Sequence, residues 1–254
     1  MIKFDQVTKV FGRKTVLNGF SLHIEKGETI CLVGTSGAGK SVTLKHMVRL
    51  LTPTTGEVIV GGECINHLDG QDLADCRSKF GYLFQSAALL QWMSVGDNVA
   101  LPLREHTNMT NEEIDAEVRA VLRSVDLEEA IDRLPANISG GMKKRAGLAR
   151  AIVTKPEIIL YDEPTSGLDP VTSRTIDELI NRLKETMGVT SVVVTHDMIS
   201  ALTVGDRIAM LHLGEVVEVS TPEDFLNSEH PEVRKFLDAQ YISRDFLKER
   251  QFSE

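Results

Sequence analysis

Apolar and polar residues alternate over the first thirty positions, which is the period-two pattern of strands that bury one face. The pattern predicts short antiparallel strands with a turn at Lys26 and Gly27, where the alternation breaks. The apolar members of this pattern are Val7, Val10, Val16, Leu17, Phe20, Leu22 and Ile24. A further run at 57–62 predicts a strand followed by a turn, so the chain is expected to open with an antiparallel β region.

Three short runs are mostly apolar, at 29–33, 157–161 and 190–194. Such runs, of strand length and bounded by turn residues, are typical of parallel strands buried on both faces. Between the second and third runs, apolar residues recur at helical spacing and stop before Gly188; they are Ile176, Leu179, Ile180 and Leu183. Strand, helix and strand in this order predict a parallel βαβ unit and therefore an α/β core.

The middle of the chain has a helical pattern instead. Thr110 and Glu113 have the spacing of a capping box, and the apolar residues behind them fall at helical spacing: Ile114, Val118, Val121, Leu122 and Val125. A second helix is predicted at 142–154. We therefore expect a mainly helical insert at about 86–154 within the α/β core. The stretch 222–254 is polar and charged with a helical tendency.

Composition narrows the class of protein. The chain has 254 residues, 42% of them hydrophobic and 26% charged, which is ordinary for a globular protein. Its net charge of −9 argues against a nucleic-acid-binding protein, because phosphate binding needs a positively charged surface. No apolar run approaches the roughly 18 residues of a membrane span, and no secretory signal is recognisable. The three cysteines form no Cys-x-x-Cys pair, so we expect a reducing, cytosolic compartment.

A glycine-rich segment directly after the run at 29–33 carries the first chemical signal. It reads Gly34-Thr35-Ser36-Gly37-Ala38-Gly39-Lys40-Ser41, which is the G-x-x-x-x-G-K-S phosphate loop between a strand and a helix. Glycines let successive backbone N–H groups point at an anion, and the helix N-terminus adds its dipole. Lys40 can reach the β- and γ-phosphates of a nucleotide, and the Ser41 hydroxyl can ligate Mg²⁺.

Two adjacent acids, Asp162 and Glu163, directly follow the apolar run at 157–161. Side chains alternate along a strand, so the two carboxylates diverge and can take different tasks. We expect Asp162 to hold Mg²⁺ through water and Glu163 to polarise an attacking water.

A second glycine pair, Gly140-Gly141 after Ser139, lies just before a predicted helix, where adjacent glycines can form another anion-binding nest. At this point the chain resembles the ABC ATPases, the motor subunits of ABC transporters, over roughly residues 1–225. The resemblance rests on six motifs in order: the phosphate loop, Gln85, Ser139-Gly140-Gly141, Asp162-Glu163, Ser166-Gly167-Leu168-Asp169, and His196. Ile138 and Met142 depart from the usual Leu and Gln of the family signature.

The resemblance implies a fold and a set of roles. The fold is a RecA-like P-loop NTPase core of ABC type (1–85 and 155–230), with an N-terminal antiparallel β subdomain, an inserted α-helical subdomain and a C-terminal extension at 231–254. Phe11 is expected to stack on adenine, the alternative being a core residue of the first strands. Gln85 is expected to sense Mg²⁺ and the attacking water, and His196 to contact the γ-phosphate of ATP.

By the same resemblance the ATPase is a head-to-tail homodimer. Ser139 and Gly141 of one subunit are expected to cap the γ-phosphate that Lys40 of the other subunit holds, and Asp169 is expected at the subunit boundary. The implied ligands are ATP and Mg²⁺, the latter held by Ser41, Gln85 and Asp162.

Three local stretches resemble the MlaF-like ATPases of Mla/Mce-type phospholipid transport: 101–107, Met142 and 230–237. That resemblance implies an MlaE-like integral membrane permease, an Mce-domain lipid-binding subunit, a small MlaB-like STAS-domain subunit, and a place on the cytoplasmic face of the bacterial inner membrane. The alternatives are a motor for another cargo such as amino acids or metal, a non-transport ABC ATPase acting on DNA or ribosomes, and a regulatory subunit that does not hydrolyse ATP.

Two further surfaces are expected to contact partners. The apolar stretch 87–93, with the single Trp92, either docks a permease helix or packs inside the helical insert. Near the C-terminus, apolar residues at helical spacing (Val233, Phe236, Leu237 and Tyr241), followed by Phe246 and Leu247, are covered either by their own domain or by another chain. We expect the stretch 87–93 to contact the permease, and the C-terminal apolar residues to contact a second copy or an accessory subunit.

Overall fold

The computed structural model describes residues 1–246. These residues form two compact units: residues 1–76 with 192–246, and residues 77–191. Of the residues predicted at the C-terminal partner surface, Leu247 lies outside the described residues. Within residues 1–246, no helix has the length and apolar character needed to cross a bilayer.

The strands in chain order are β1 (Ile2–Phe11), β2 (Lys14–Ile24), β3 (Thr29–Val33), β4 (Thr55–Val60), β5 (Glu63–Cys64), β6 (Phe80–Leu83), β7 (Ile158–Asp162), β8 (Thr190–Val194), β9 (Arg207–His212) and β10 (Glu215–Ser220). The α-helices are α1 (Lys40–Met47), α2 (Gly70–Ser78), α3 (Val95–His106), α4 (Asn111–Ser124), α5 (Gly140–Ile152), α6 (Pro170–Met187), α7 (Met198–Val204), α8 (Pro222–Asn227) and α9 (Pro231–Asp238). The boundaries between the units fall inside α2 and β8.

The first unit contains the predicted antiparallel sheet, with strand order β2-β1-β4-β5. The strands β1 and β2 are 10 and 11 residues long, so the prediction of short strands was wrong. Irregularities of the pairing between Phe4 and Val7, and a left-handed backbone at Gln6, interrupt the alternation and make one strand look like two. Phe4 and Phe20 pack edge to face beneath this sheet, with ring centroids 5.0 Å apart.

A second sheet region of the first unit is built around β3, whose five residues are all buried. It pairs in parallel with β9, in a register that places Ile30 opposite Arg207 and Val33 opposite Met210. The strand β10 then pairs antiparallel with β9. This arrangement points the C-terminal end of β3 directly into the glycine-rich loop.

The second unit combines two parallel strands with the long helices. The strands β6 and β7 pair with Phe80 opposite Ile158 and Leu83 opposite Tyr161. The predicted capping box is present in α4, since the Thr110 hydroxyl accepts from the Glu113 N–H and the Glu113 carboxylate accepts from the Thr110 N–H. The helix α6 ends at Gly188 as predicted, with a left-handed φ of 63° that favours glycine.

The helix α3 was not predicted individually, because Pro102 lies inside it and proline normally marks a helix end. With α4 and α5 it supplies the helical part that the sequence indicated. The bounds proposed for the insert and for the C-terminal extension stay predictions.

The C-terminal segment packs on its own unit. Val233 and Leu237 are fully buried and Phe236 is 9% exposed, whereas Tyr241 is 96% exposed. The helix α9 ends at Asp238, so the helical spacing does not continue to Tyr241 and this residue does not share the apolar face. Two contacts hold the segment: Glu232 pairs with His212 at 3.5 Å, and the Gln240 side chain accepts from the Met198 N–H at 3.2 Å.

Candidate functional site

The glycine-rich loop of the first unit connects β3 to α1, and two of its positions require glycine. Gly34 has φ +143°, and a Cβ atom there would overlap the carbonyl oxygen of Leu211. Gly39 has φ +109°, and its Cβ would lie 2.7 Å from Leu17 Cδ2. Both positions combine a left-handed backbone with close approach of neighbouring strands, so a larger residue would displace the loop.

Lys40 is the first residue of α1 and is 7% exposed. Its ammonium group donates to the carbonyl oxygens of Gly34 at 2.7 Å and of Thr35 at 3.2 Å, so the side chain folds back over its own loop. The first turn of α1 contains no acidic residue and no side-chain cap, which leaves a helix N-terminus suited to an anion. Ser41 follows in the same turn, and residues 35–37 are exposed.

Two other predicted residues lie in the first unit. Phe11 ends β1 and is 44% exposed, so it is not a core residue; the Lys9 ammonium lies 5.1 Å from its ring centroid. His196 is exposed two residues after β8, directly before Asp197, which caps the N-terminus of α7.

The acidic pair lies in the second unit at the end of β7. Asp162 is the last residue of the strand and is 7% exposed, and the Tyr82 hydroxyl donates to its Oδ2 at 3.4 Å. Burial, together with the Asp162 carboxylate, raises the pKa of Tyr82, so Tyr82 remains a neutral donor. Glu163 follows with a left-handed φ of 51°, so the extended backbone of the strand ends at Asp162.

Gln85 is exposed two residues after β6, and its backbone is tied to the acidic pair. The ammonium of Lys144, on α5, donates to the Gln85 carbonyl at 2.6 Å and to the Glu163 carbonyl at 2.7 Å. Burial lowers the pKa of Lys144 to about 8, against the opposing attraction of Glu163 and Asp162. Lys144 has no recognisable signal in the sequence, because a Lys-Lys pair on a helix resembles a solvated face.

Ser139 and the two glycines form the start of α5. The Ser139 hydroxyl accepts from the Met142 N–H at 3.2 Å as the helix N-cap. A Cβ at Gly141 would overlap Thr172 Cγ2 in the first turn of α6, so glycine permits the close packing of the two helix starts.

Asp169 caps α6 in this structure. Its carboxylate accepts from the Thr172 hydroxyl at 2.5 Å and from the N–H groups of Val171 and Thr172 at 3.0 Å. Hydrogen bonds from Thr172, followed by those of the backbone, hold the pKa of the Asp169 carboxyl below its usual range.

The stretch 87–93 divides into buried and exposed parts. Ala87 and Leu89 are 1% and 7% exposed, whereas Trp92 is 76% exposed. Packing therefore accounts for the first two residues, and only Trp92 offers a large apolar surface to a partner.

The residues present fit a magnesium ion that is bound together with a nucleotide. Residues 1–246 contain no group of three or more His, Cys, Asp or Glu side chains able to hold a metal by themselves. Mg²⁺ characteristically takes one or two protein oxygens and completes its shell with phosphate oxygens and water. A hydroxyl such as that of Ser41 and a carboxylate such as that of Asp162 are donors of this kind.

Residues 17–166 match the family model described as "ABC transporter", and the chain belongs to that family. It is the ATP-binding and ATP-hydrolysing cassette of an ABC transporter. Cassettes of this family form dimers and act with a membrane permease.

Similar proteins support this assignment. A relative from Mycobacterium tuberculosis, "Probable ribonucleotide transport ATP-binding protein mkl", is 42% identical over 241 residues, which span 95% of this chain and 67% of the relative. "Methionine import ATP-binding protein MetN 1" from Bacillus cereus is 39% identical over 259 residues, covering 99% of this chain and 75% of the relative.

A solved dimeric structure of a post-hydrolysis state of an ATP-binding cassette, bound to ADP and Pi, is 36% identical with a TM-score of 0.81. The match covers 87% of this chain and 99% of that one. The α/β cassette fold with its antiparallel sheet and helical part is thereby confirmed.

Proposed function

We propose that Glu163 is the general base that accepts the proton of the attacking water when this chain hydrolyses ATP. The observation that supports this role is the geometry at the end of β7: Asp162 is buried and accepts from Tyr82, whereas Glu163 is half-buried and has a left-handed backbone. The two neighbouring carboxylates therefore have different surroundings, which is how adjacent acids take different tasks.

The remaining residues bind and orient the nucleotide. In this proposal the backbone of 34–41 and the Lys40 ammonium hold the phosphates, Phe11 stacks on adenine, and His196 contacts the γ-phosphate. Ser41, Asp162 and Gln85 would hold Mg²⁺, which supplies neutralisation of phosphate charge when bound. Ser139, Gly140 and Gly141 of a second copy would cap the γ-phosphate, and Asp169 would lie at the boundary of that homodimer.

Glu163→Gln tests the base directly. Because glutamine cannot accept the proton, we expect hydrolysis to fall by about 10²–10⁴-fold while ATP binding is retained. Glu157→Gln is the matched control, since Glu157 is an exposed carboxylate just before the same strand. Steady-state ATPase assays and nucleotide titration provide the two readouts. Hydrolysis by Glu163→Gln at more than about a tenth of the wild-type rate would show that Glu163 is not the base.

For the cargo, we propose phospholipid transport between the bacterial inner and outer membranes. The support is sequence resemblance at 101–107, Met142 and 230–237, which lie in the second half of α3, the first turn of α5 and the start of α9. The partners would be an MlaE-like permease, an Mce-domain subunit and an MlaB-like STAS-domain subunit, with this chain bound at the cytoplasmic face of the inner membrane.

The names of the relatives favour a second candidate, the import of ribonucleotides or methionine. Purification of the complex from detergent-solubilised native membranes identifies the permease. ATPase stimulation of the reconstituted complex by phospholipid, methionine or a ribonucleotide then compares the cargoes. Stimulation by phospholipid alone, with an Mce-domain subunit present, supports the first candidate. Stimulation by methionine or a ribonucleotide alone overturns it.

A further inference from the structure

The cationic side chains of α5 donate hydrogen bonds to carbonyl groups of residues that have a left-handed backbone. Within residues 77–191, the non-glycine residues with a left-handed backbone are Ala87, Ala88, Asp126, Lys155 and Glu163. L-amino acids adopt this conformation at a cost, and it persists where surrounding contacts over-determine it. Four of the five carbonyl groups at these positions accept a hydrogen bond from a cation on α5.

The distances are short and the donors are spread along the helix. Arg150 donates to the carbonyls of Ala87 and Ala88, each at 2.7 Å. Arg145 donates to the Asp126 carbonyl at 2.6 Å. Lys144 donates to the Glu163 carbonyl at 2.7 Å and in addition to Gln85 at 2.6 Å. One helix thus fixes several strained turns of the second unit through its cations.

Close packing reinforces the contact between α5 and the turn after β6. A Cβ at Gly147 would lie 2.9 Å from both Ala87 Cβ and Leu83 Cδ1, so the helix backbone lies directly against this turn. Arg150 is half-buried at the same face. The turn that carries Gln85 is therefore held from α5 at both ends, by Lys144 at Gln85 and by Arg150 at Ala87 and Ala88.

Lys144 differs from the other two cations because it joins two separate motifs. It is 5% exposed, so an ammonium group is buried where a solvated lysine would be the ordinary arrangement. A buried cation needs partners that compensate its lost hydration, and the carbonyls of Gln85 and Glu163 supply them. The same ammonium therefore fixes the distance between the backbones of Gln85 and Glu163.

We propose that Lys144 is a positioning residue of the ATPase. Its two hydrogen bonds hold Glu163 and Gln85 in one fixed relation to the helix that begins at Ser139, so that the proposed base is correctly placed when that helix is in position. This inference rests on the proposed function, which assigns roles to Gln85 and Glu163. Lys144 itself touches neither nucleotide nor water in this mechanism.

The test replaces Lys144 by methionine, which keeps the unbranched stem and removes every donor. Because misplacing a reacting group by about 1 Å costs up to about 10²-fold, we expect kcat to fall by about 10–100-fold with little change in the Kd for ATP. Lys144→Arg retains donors and should recover part of the lost kcat. Lys143→Met is the matched control, a neighbouring half-buried lysine on the same helix, and should keep the wild-type kcat.

A double-mutant cycle with Glu163→Gln separates positioning from a general loss of structure. If Lys144 acts through Glu163, Lys144→Met should lower the rate much less in the Glu163→Gln background than in the wild type, because residues that act as a unit are non-additive. Equal fold-losses in both backgrounds would overturn the inference. If thermal unfolding shows that Lys144→Met is not folded, Lys144→Gln takes its place in the same cycle.

The outcomes also distinguish this inference from the proposed function. An active Glu163→Gln enzyme contradicts the proposed base whatever Lys144 does. An inactive Glu163→Gln enzyme combined with a wild-type kcat in Lys144→Met contradicts only the role of Lys144.

Discussion

Replacing Leu237 by alanine tests whether the C-terminal helix α9 belongs to the core of the first unit. The side chain of Leu237 is fully buried, as is that of Val233 one turn earlier on the same face. Leu→Ala substitutions at buried sites cost about 2–5 kcal/mol, because transfer free energy is lost and a cavity remains.

The expected loss in the free energy of unfolding corresponds to a measurable decrease in the midpoint of thermal unfolding, Tm. For proteins of about 150–250 residues, each kcal/mol corresponds to about 2–4 °C, so Tm should fall by about 4–20 °C. Far-UV circular dichroism of the full chain measures the midpoint. Tyr241→Ser is the matched control, because Tyr241 is 96% exposed and substitutions at exposed sites usually change stability by no more than about 0.5 kcal/mol.

The same two variants address the partner role predicted for the segment. If a second copy or accessory subunit docks here, Tyr241→Ser should weaken the association seen by light scattering while Tm stays unchanged. A wild-type Tm for Leu237→Ala would show that the apolar face of α9 contributes nothing to the stability of its own unit. The two point variants distinguish packing on the first unit from binding a partner. Deleting residues 231–254 would remove both at once.

The remaining predictions concern the shared site, the permease surface and a helix cap. Lys40→Ala should lose ATP affinity, and Ser139→Arg should lose hydrolysis. Mixing the two inactive variants should restore part of the ATPase activity, because one of the two sites of the mixed dimer then has both intact halves. A mixed dimer without recovery would contradict the shared site. Trp92→Glu should keep basal ATPase activity but prevent co-purification with the permease, and normal assembly would place the docking surface elsewhere. Thr110→Ala should destabilise the chain by about 0.5–2 kcal/mol through loss of the α4 cap, and an unchanged urea midpoint would contradict that estimate.

Local signals in the sequence were sufficient for much of the fold. The buried strands β3, β7 and β8 coincide closely with mostly apolar segments, and the start of α4 and the end of α6 are marked by Thr110, Glu113 and Gly188. Each of these features depends on neighbours a few residues apart. The lengths of β1 and β2 were not predictable in the same way, because the irregular pairing near Gln6 depends on how β1 pairs with β2 on one side and with β4 on the other.

The apolar face of α9 shows a different limit. Helical spacing correctly placed Val233, Phe236 and Leu237 on one face, but spacing says nothing about what covers that face. The spacing also extended the face to Tyr241, although the helix ends three residues before it. A pattern of periodicity has no information about where a short helix stops unless a cap residue marks the end.

The cations of α5 show why part of the candidate site could not be read from the sequence. Lys144, Arg145 and Arg150 are ordinary residues for an exposed helix, and their partners are backbone carbonyls, which carry no sequence signature. Only the tertiary structure brings these cations to the left-handed turns at Ala87, Ala88, Asp126 and Glu163. The motifs name the groups that would contact ATP, whereas the groups that fix those motifs in place depend on tertiary contacts. A carboxylate at the end of a strand is therefore only one of two requirements for the proposed role of Glu163. The other is the hydrogen bond from Lys144 to its carbonyl, which holds the backbone in a conformation that glutamate alone would rarely adopt.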